Sequence, residues 1–160
     1  MNWSRGSVSV LTILVLPVLL ASSAFAVDVG LMAWLRGTAQ AAADLGALAG
    51  VQEIDVVRLA RGERWINEGA AMARAKEVAL ENLTRNVKTL DPSREVVVKT
   101  RVFNLPDGEA AVHPGNGRVL KDPTVCVTIE VSTRLPFLSL VRRNVAVVVH
   151  ADASVVQKSR

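Results

Sequence analysis

From Val8 to Val27 the chain carries no charged residue, and almost every position is apolar. Twenty such residues in a helix cover about 30 Å, the thickness of a bilayer's hydrocarbon core. With its backbone groups paired internally, such a helix finds its best solvent in lipid. Pro17 removes one helical hydrogen bond, a defect that membrane helices accept more readily than soluble ones. Arg5 and the α-amine precede the run and Asp28 follows it. Positive charge stays on the cytoplasmic side, so this asymmetry predicts N-terminus in and C-terminus out.

A cleaved secretory signal is a competing reading. A basic start, an apolar core and Ala24-Phe25-Ala26 also spell an A-x-A processing site. Cleavage after Ala26 releases a soluble periplasmic binding module that begins Val27-Asp28. Val8–Leu20 has the length of a signal core, which favours this reading. Apolarity resumes at Val29, Leu31, Met32, Ala33, Trp34 and Leu35, and Trp34 beside Arg36 reads as an interfacial anchor. Those residues favour a retained anchor. Under both readings everything after about residue 36 is exported.

Beyond the apolar run, small residues set the pattern. Ala26, Gly30, Ala33 and Gly37 fall at i, i+4, i+7 and i+11, and Ala39, Ala43, Gly46 and Gly50 repeat the spacing. Each set is a stripe on one helix face. Gln40, Ala41–Ala43, Leu45, Ala47 and Leu48 favour helix, so residues 8–50 read as one nearly continuous helix. Glycines within it make sense where backbones approach closely. At membrane depth the first stripe points to a partner helix. The second packs either on a partner or on the protein's own sheet. Gln40 and Asp44, four apart, share a face and can bond each other or cap a neighbouring element.

Residues 51–62 read as more helix or as a connector. A second helix is expected over about 63–86, with Met72, Ala75, Ala79 and Leu83 on one face, an i, i+4 pair of Glu81 and Arg85, and a stop at Asp91-Pro92. The texture then turns to strand. Strands are expected at about 95–103, 124–133 and 144–156. The middle one alternates cleanly, Val125, Val127, Ile129 and Val131 against Thr124, Cys126, Thr128 and Glu130, as in a half-buried antiparallel strand. The stretch between the first two strands reads as a long loop with turn signals at Pro106-Asp107-Gly108 and Pro114-Gly115-Asn116-Gly117. Leu135-Pro136-Phe137-Leu138 joins the last two strands. The fold class is therefore α+β. A cytoplasmic segment 1–7 and a transmembrane helix 8–35 lead into an exported domain 36–160, in which a long helix packs on a small antiparallel sheet in the manner of a pilin.

The remaining composition excludes more than it suggests. Net charge is +4, with basic residues dispersed among acids, and no basic stripe with interleaved aromatics points to nucleic acid. The single cysteine, Cys126, has no internal disulfide partner and reads as buried and inert. His113 and His150 are the only histidines. His150-Ala151-Asp152 invites a triad or metal reading, yet no H-E-x-x-H, C-x-x-C or nucleophile motif accompanies it. Gly115-Asn116-Gly117 is a turn rather than a dinucleotide loop. No catalytic residue, cofactor or metal is assigned.

Arg5-Gly6, Asp28-Val29-Gly30 and Gln40-Ala41-Ala42-Ala43-Asp44-Leu45-Gly46-Ala47-Leu48-Ala49-Gly50 together resemble the N-terminal module of TadE/TadG-like proteins of the tight-adherence (Flp) pilus system. The resemblance covers about the first 50 residues, and Gly46 stands where the family more often has Ala. Pilin-like substrates of prepilin peptidase carry Glu five residues into the mature chain; cleavage after Gly6 would put Leu11 there. The resemblance therefore implies an accessory or anchoring component rather than a major pilin. It would be a non-enzymatic, single-pass protein of the bacterial inner membrane with a periplasmic domain. Its implied partners are other pilus-assembly or inner-membrane proteins, membrane lipid and a second copy of itself. Asp28 is expected to mark the membrane boundary.

Overall fold

The structure, a computed structural model, describes residues 3–87, 95–106, 109–113, 115, 117–137 and 145–156, with only the backbone for residues 3–8. One helix, α1 (Trp3–Val51), runs unbroken through Pro17 and on into the domain. At 1.5 Å per residue its 49 residues span about 74 Å. In the apolar run, Ser22 and Ser23 donate their hydroxyls to the carbonyls of Val18 and Leu19, at 2.8 and 2.9 Å. Both polar groups are thus satisfied without water.

The connector after α1 makes one short helix, α2 (Val56–Leu59), capped by the Asp55 carboxylate, which accepts from the Val57 and Arg58 amides. Ile54 and Ile66 then pair in an isolated antiparallel bridge. Asn104 clamps Ile66 from both sides, accepting from its amide at 2.8 Å and donating to its carbonyl at 2.9 Å. Trp65 and Ile66 are therefore extended, and α3 (Glu68–Val87) begins after Asn67, which accepts from Ala70. That start lies five residues later than the periodicity suggests. Arg85 reaches Glu81 at 2.7 Å within it. The expected stop at Asp91-Pro92 lies outside the described residues.

Three strands form an antiparallel sheet in the order β1-β4-β5: β1 (Val96–Phe103), β4 (Thr124–Thr133) and β5 (Val145–Ser154). Register pairs Thr100 with Val127, and Val127 with Ala151. Between β1 and β4 the chain is more than a loop. It contains a small two-stranded sheet, β2 (Ala111–Val112) with β3 (Val119–Leu120). Gly117, at φ +71°, supplies the left-handed residue its turn requires.

The core lies between the helices and one sheet face. Leu35, Ala39, Ala42, Ala43 and Ala47 of α1 and Ala71, Ala75, Ala79 and Leu83 of α3 bury against Val125, Val127, Ile129, Val131, Val147, Val149 and Ala151. Ala71 takes the inward position that the periodicity gave to Met72, which is exposed. The other face of β4 is not evenly solvated either. Thr124 and Cys126 are buried beneath the β2–β3 segment, so the strand is half-buried only toward its C-terminal end.

The second small-residue stripe is the seam of the helix pair. A Cβ on Gly46 would stand 2.8 Å from the Ala75 carbonyl oxygen and 2.9 Å from Ala79 Cβ. One on Gly50 would meet Ala75 Cβ at 2.9 Å and Val125 Cγ1 at 3.0 Å. At its two glycines the stripe thus faces α3, and Gly50 also meets the sheet. Gly→Ala in an open helix stabilises by up to about 1 kcal/mol, whereas overpacking costs about 1–3 kcal/mol. Gly46→Ala is therefore expected to lower unfolding stability by up to about 2 kcal/mol, the overpacking cost less the helix gain. Gly30→Ala, with nothing within 4 Å of the new methyl, should be neutral or slightly stabilising. Urea unfolding of the detergent-solubilised protein, followed by circular dichroism, compares the two.

Candidate functional site

The motif-bearing half of α1 divides into an inward and an outward set. Ala39, Ala43, Gly46, Ala47 and Gly50 are buried, and Ala49 is half-buried. Gln40 donates from one amide nitrogen to Asp44 at 3.0 Å and to the carbonyl of His150 at 2.9 Å. That carbonyl lies on the outer edge of β5, so Gln40 satisfies an edge acceptor that α1 would otherwise only cover. Asp44 and Leu48 face outward. The Arg5 and Gly6 side-chain positions lie outside the described residues, within the helical backbone of α1.

Asp28 is not an open boundary marker. It is fully buried, and the backbone amide of Phe137 donates to its two carboxylate oxygens at 3.2 and 3.4 Å. A carboxylate removed from water needs donors. Here the connector between β4 and β5 supplies one, from 109 residues away in sequence. Sequence reasoning missed this tie because its donor is a main-chain N–H, which carries no residue signature.

The first stripe is open. Ala26, Gly30, Ala33 and Gly37 are all exposed, and methyl groups built on Gly30 and Gly37 meet nothing within 4 Å. Large apolar residues extend the open surface up the helix: Trp34, Leu45 and Leu48 are exposed, with Ala41 between them. Gly30, Trp34, Gly37, Ala41, Leu45 and Leu48 follow three- and four-residue steps, the spacing of a helix–helix seam. A groove of about 470 Å³ follows this seam, bounded by Trp34, Gly37, Ala41 and Leu45 on α1 and Asn82 and Asn86 on α3.

The two histidines, 37 residues apart, do meet. Their rings stand edge to face with centroids 6.3 Å apart. The Gly115 amide donates to His113 Nδ1 at 3.0 Å, which leaves the proton of a neutral ring on Nε2, 3.5 Å from Asp152 Oδ1. His150 Nδ1 lies 2.9 Å from the Thr128 hydroxyl. A Cβ on Gly115 would strike the His150 ring at 2.9 Å, so only glycine lets the β2–β3 turn lie this close. The cluster pins that turn to the outer sheet face. Among the described residues no group of three His, Cys, Asp or Glu is arranged to hold a metal ion.

Cys126 lies within this cluster, and burial, aided by the charge of Asp152, pushes its thiol from 9.0 up to about 12. At pH 8 only about one thiol in ten thousand would be ionised, and the thiolate is the reactive form. The folded protein is therefore expected to resist a disulfide thiol reagent at pH 8, and to react fully once unfolded. The raised value favours the neutral thiol in the fold. Its contribution to stability is full below pH 9 and lost as pH rises toward 12.

Residues 6–53 match the model of the Tad family, TadE/G-like Flp pilus assembly. Neither curated proteins nor solved structures gave a match. The matched segment ends just beyond Val51, the last residue of α1, and the α3–sheet half of the domain falls outside it. The long helix on which the rest of the fold is assembled is thus the part of the chain that is similar to TadE/G-like pilus-assembly proteins.

Proposed function

We propose that this protein is a membrane-anchored, non-enzymatic component of a Tad-type pilus or secretion apparatus, acting through helix packing and protein–protein contact. The Tad module suggests a part in Flp pilus assembly, and that family is generally non-enzymatic. One N-terminal helix is apolar and long enough to cross a membrane, and its apolar window is unburied by the rest of the protein. In this reading residues 8–35 cross the bacterial inner membrane once, Arg5 holds the N-terminus in the cytoplasm, and the α+β domain stands in the periplasm.

The observation that carries the reading is the contrast between the two stripes of α1. Both have small residues at helix-packing spacing. The second is filled by α3, while the first is open. Without a hydrophobic force between helices in lipid, close van der Waals approach drives their association, and small residues permit it. The open stripe is suited to a neighbouring membrane helix, from another assembly protein or a second copy. Trp34, Leu45 and Leu48 would prolong that contact above the membrane. Gly37 lies at the transition between the two regions.

The runner-up is a soluble periplasmic module released after Ala26. Asp28 and Leu35 would remain in the released chain, so its core would survive cleavage.

Gly30→Leu fills the stripe where the helix has space and no internal neighbour. A photo-crosslinking residue at Ala33 is expected to give adducts to a membrane protein in the unmodified background, reduced several-fold by Gly30→Leu, with export unchanged. Equal crosslinking in both backgrounds would remove the stripe from the interface.

A further inference from the structure

We infer that Phe137, which follows β4, makes a second membrane contact, resting in the outer interface of the same bilayer that α1 crosses. This rests on the anchored reading above. The chain seats the connector by two fixed points. Leu135 is buried in the domain, and the Phe137 amide is bonded to Asp28. Asp28 is the first charged residue after the apolar run, so it lies at the hydrocarbon boundary. Phe137 is thereby held at that level, yet it is 47% exposed.

The residues of α1 just beyond Asp28 have the chemistry of an interface. Val29 is 48% exposed and Val148 46% exposed, and both border an open groove of about 490 Å³ with Met32, Ala33 and Arg36. Trp34 is 41% exposed and lies six residues, about 9 Å, above Asp28. Helical side chains tilt toward the N-terminus, so Trp34 and Arg36 reach back toward the bilayer. An aromatic ring at headgroup depth with a long cation above it is what the interface favours.

Lipid is the occupant chosen because this apolar rim is continuous with the lipid-facing run of α1 and sits at its end. Two attachments at one level would also hold the domain upright. A single helix resists tilt poorly; a helix plus a wedge fixes both height and rotation.

The test uses the full chain in vesicles of phosphatidylethanolamine and phosphatidylglycerol, some of whose acyl chains carry a spin-label quencher. Single cysteines, Phe137→Cys, Leu16→Cys and Val56→Cys, are each labelled with an environment-sensitive fluorophore. Cys126 is buried and stays unlabelled. Leu16 lies in the apolar run, and Val56 at the far end of the domain is 74% exposed. The expected result is blue-shifted, strongly quenched emission at 16 and 137, and water-like, unquenched emission at 56. Phe137→Cys keeps the main-chain bond to Asp28, so the connector should stay seated; a near-native melting temperature checks this. Quenching at 16 with water-like emission at 137 would overturn the inference and leave the anchor standing. Water-like emission at 16 would overturn the anchor, and the inference with it.

Discussion

Everything else in this fold depends on how closely α1 and α3 approach. Ala39, Ala43, Gly46 and Gly50 on one side and Ala71, Ala75 and Ala79 on the other leave almost no side-chain volume between the backbones. Each alanine buries little apolar area, so the pair is held by many short dispersion contacts rather than a few large side chains. The sheet then closes over the pair with valines, whose branched side chains suit a pleated surface. Because α1 is one of the two core helices, the domain is an outgrowth of the apolar helix and not a module tethered to it.

Two polar ties fix how the sheet sits along that helix. Near the apolar run, Asp28 takes the amide of Phe137; twelve residues on, Gln40 donates to the edge of β5. They act at successive heights on neighbouring parts of the chain, the connector that feeds β5 and the strand itself. A buried carboxylate in place of an apolar residue makes the lower tie directional as well as stable. Packing among small, similar residues leaves sliding of one element along another inexpensive. The ties remove that freedom, and Gln40 also blunts an edge that would be open to strand addition.

Much of this was legible in the sequence, for identifiable reasons. The second stripe and the alternation of Val125, Val127, Ile129 and Val131 are periodic signals, and each corresponds to a buried face. The Gln40–Asp44 bond follows from helical spacing alone. What escaped was non-local. α3 starts late because Ile66 is recruited into a bridge by Ile54 and a clamp by Asn104, neither visible from the local pattern. The β2–β3 pair has two-residue strands, too short for any periodicity to register. Asp28 reads only as a boundary residue, because its distant main-chain partner, the Phe137 amide, leaves no mark in the local pattern. The second stripe shows that small residues are packed, but not whether the neighbour belongs to the same chain.

The central claim is that α1 stays whole, joining bilayer and domain. It is tested most directly by the intact mass of the protein recovered separately from washed membranes and from the periplasm. The anchored reading requires a chain that retains residues 8–35, found in the membrane fraction. A mass beginning at Ser7 in that fraction would still keep the helix, and would add processing after Gly6. A mass beginning at Val27 in the soluble fraction would contradict the claim, leaving a released binding domain whose open stripe meets water instead of lipid.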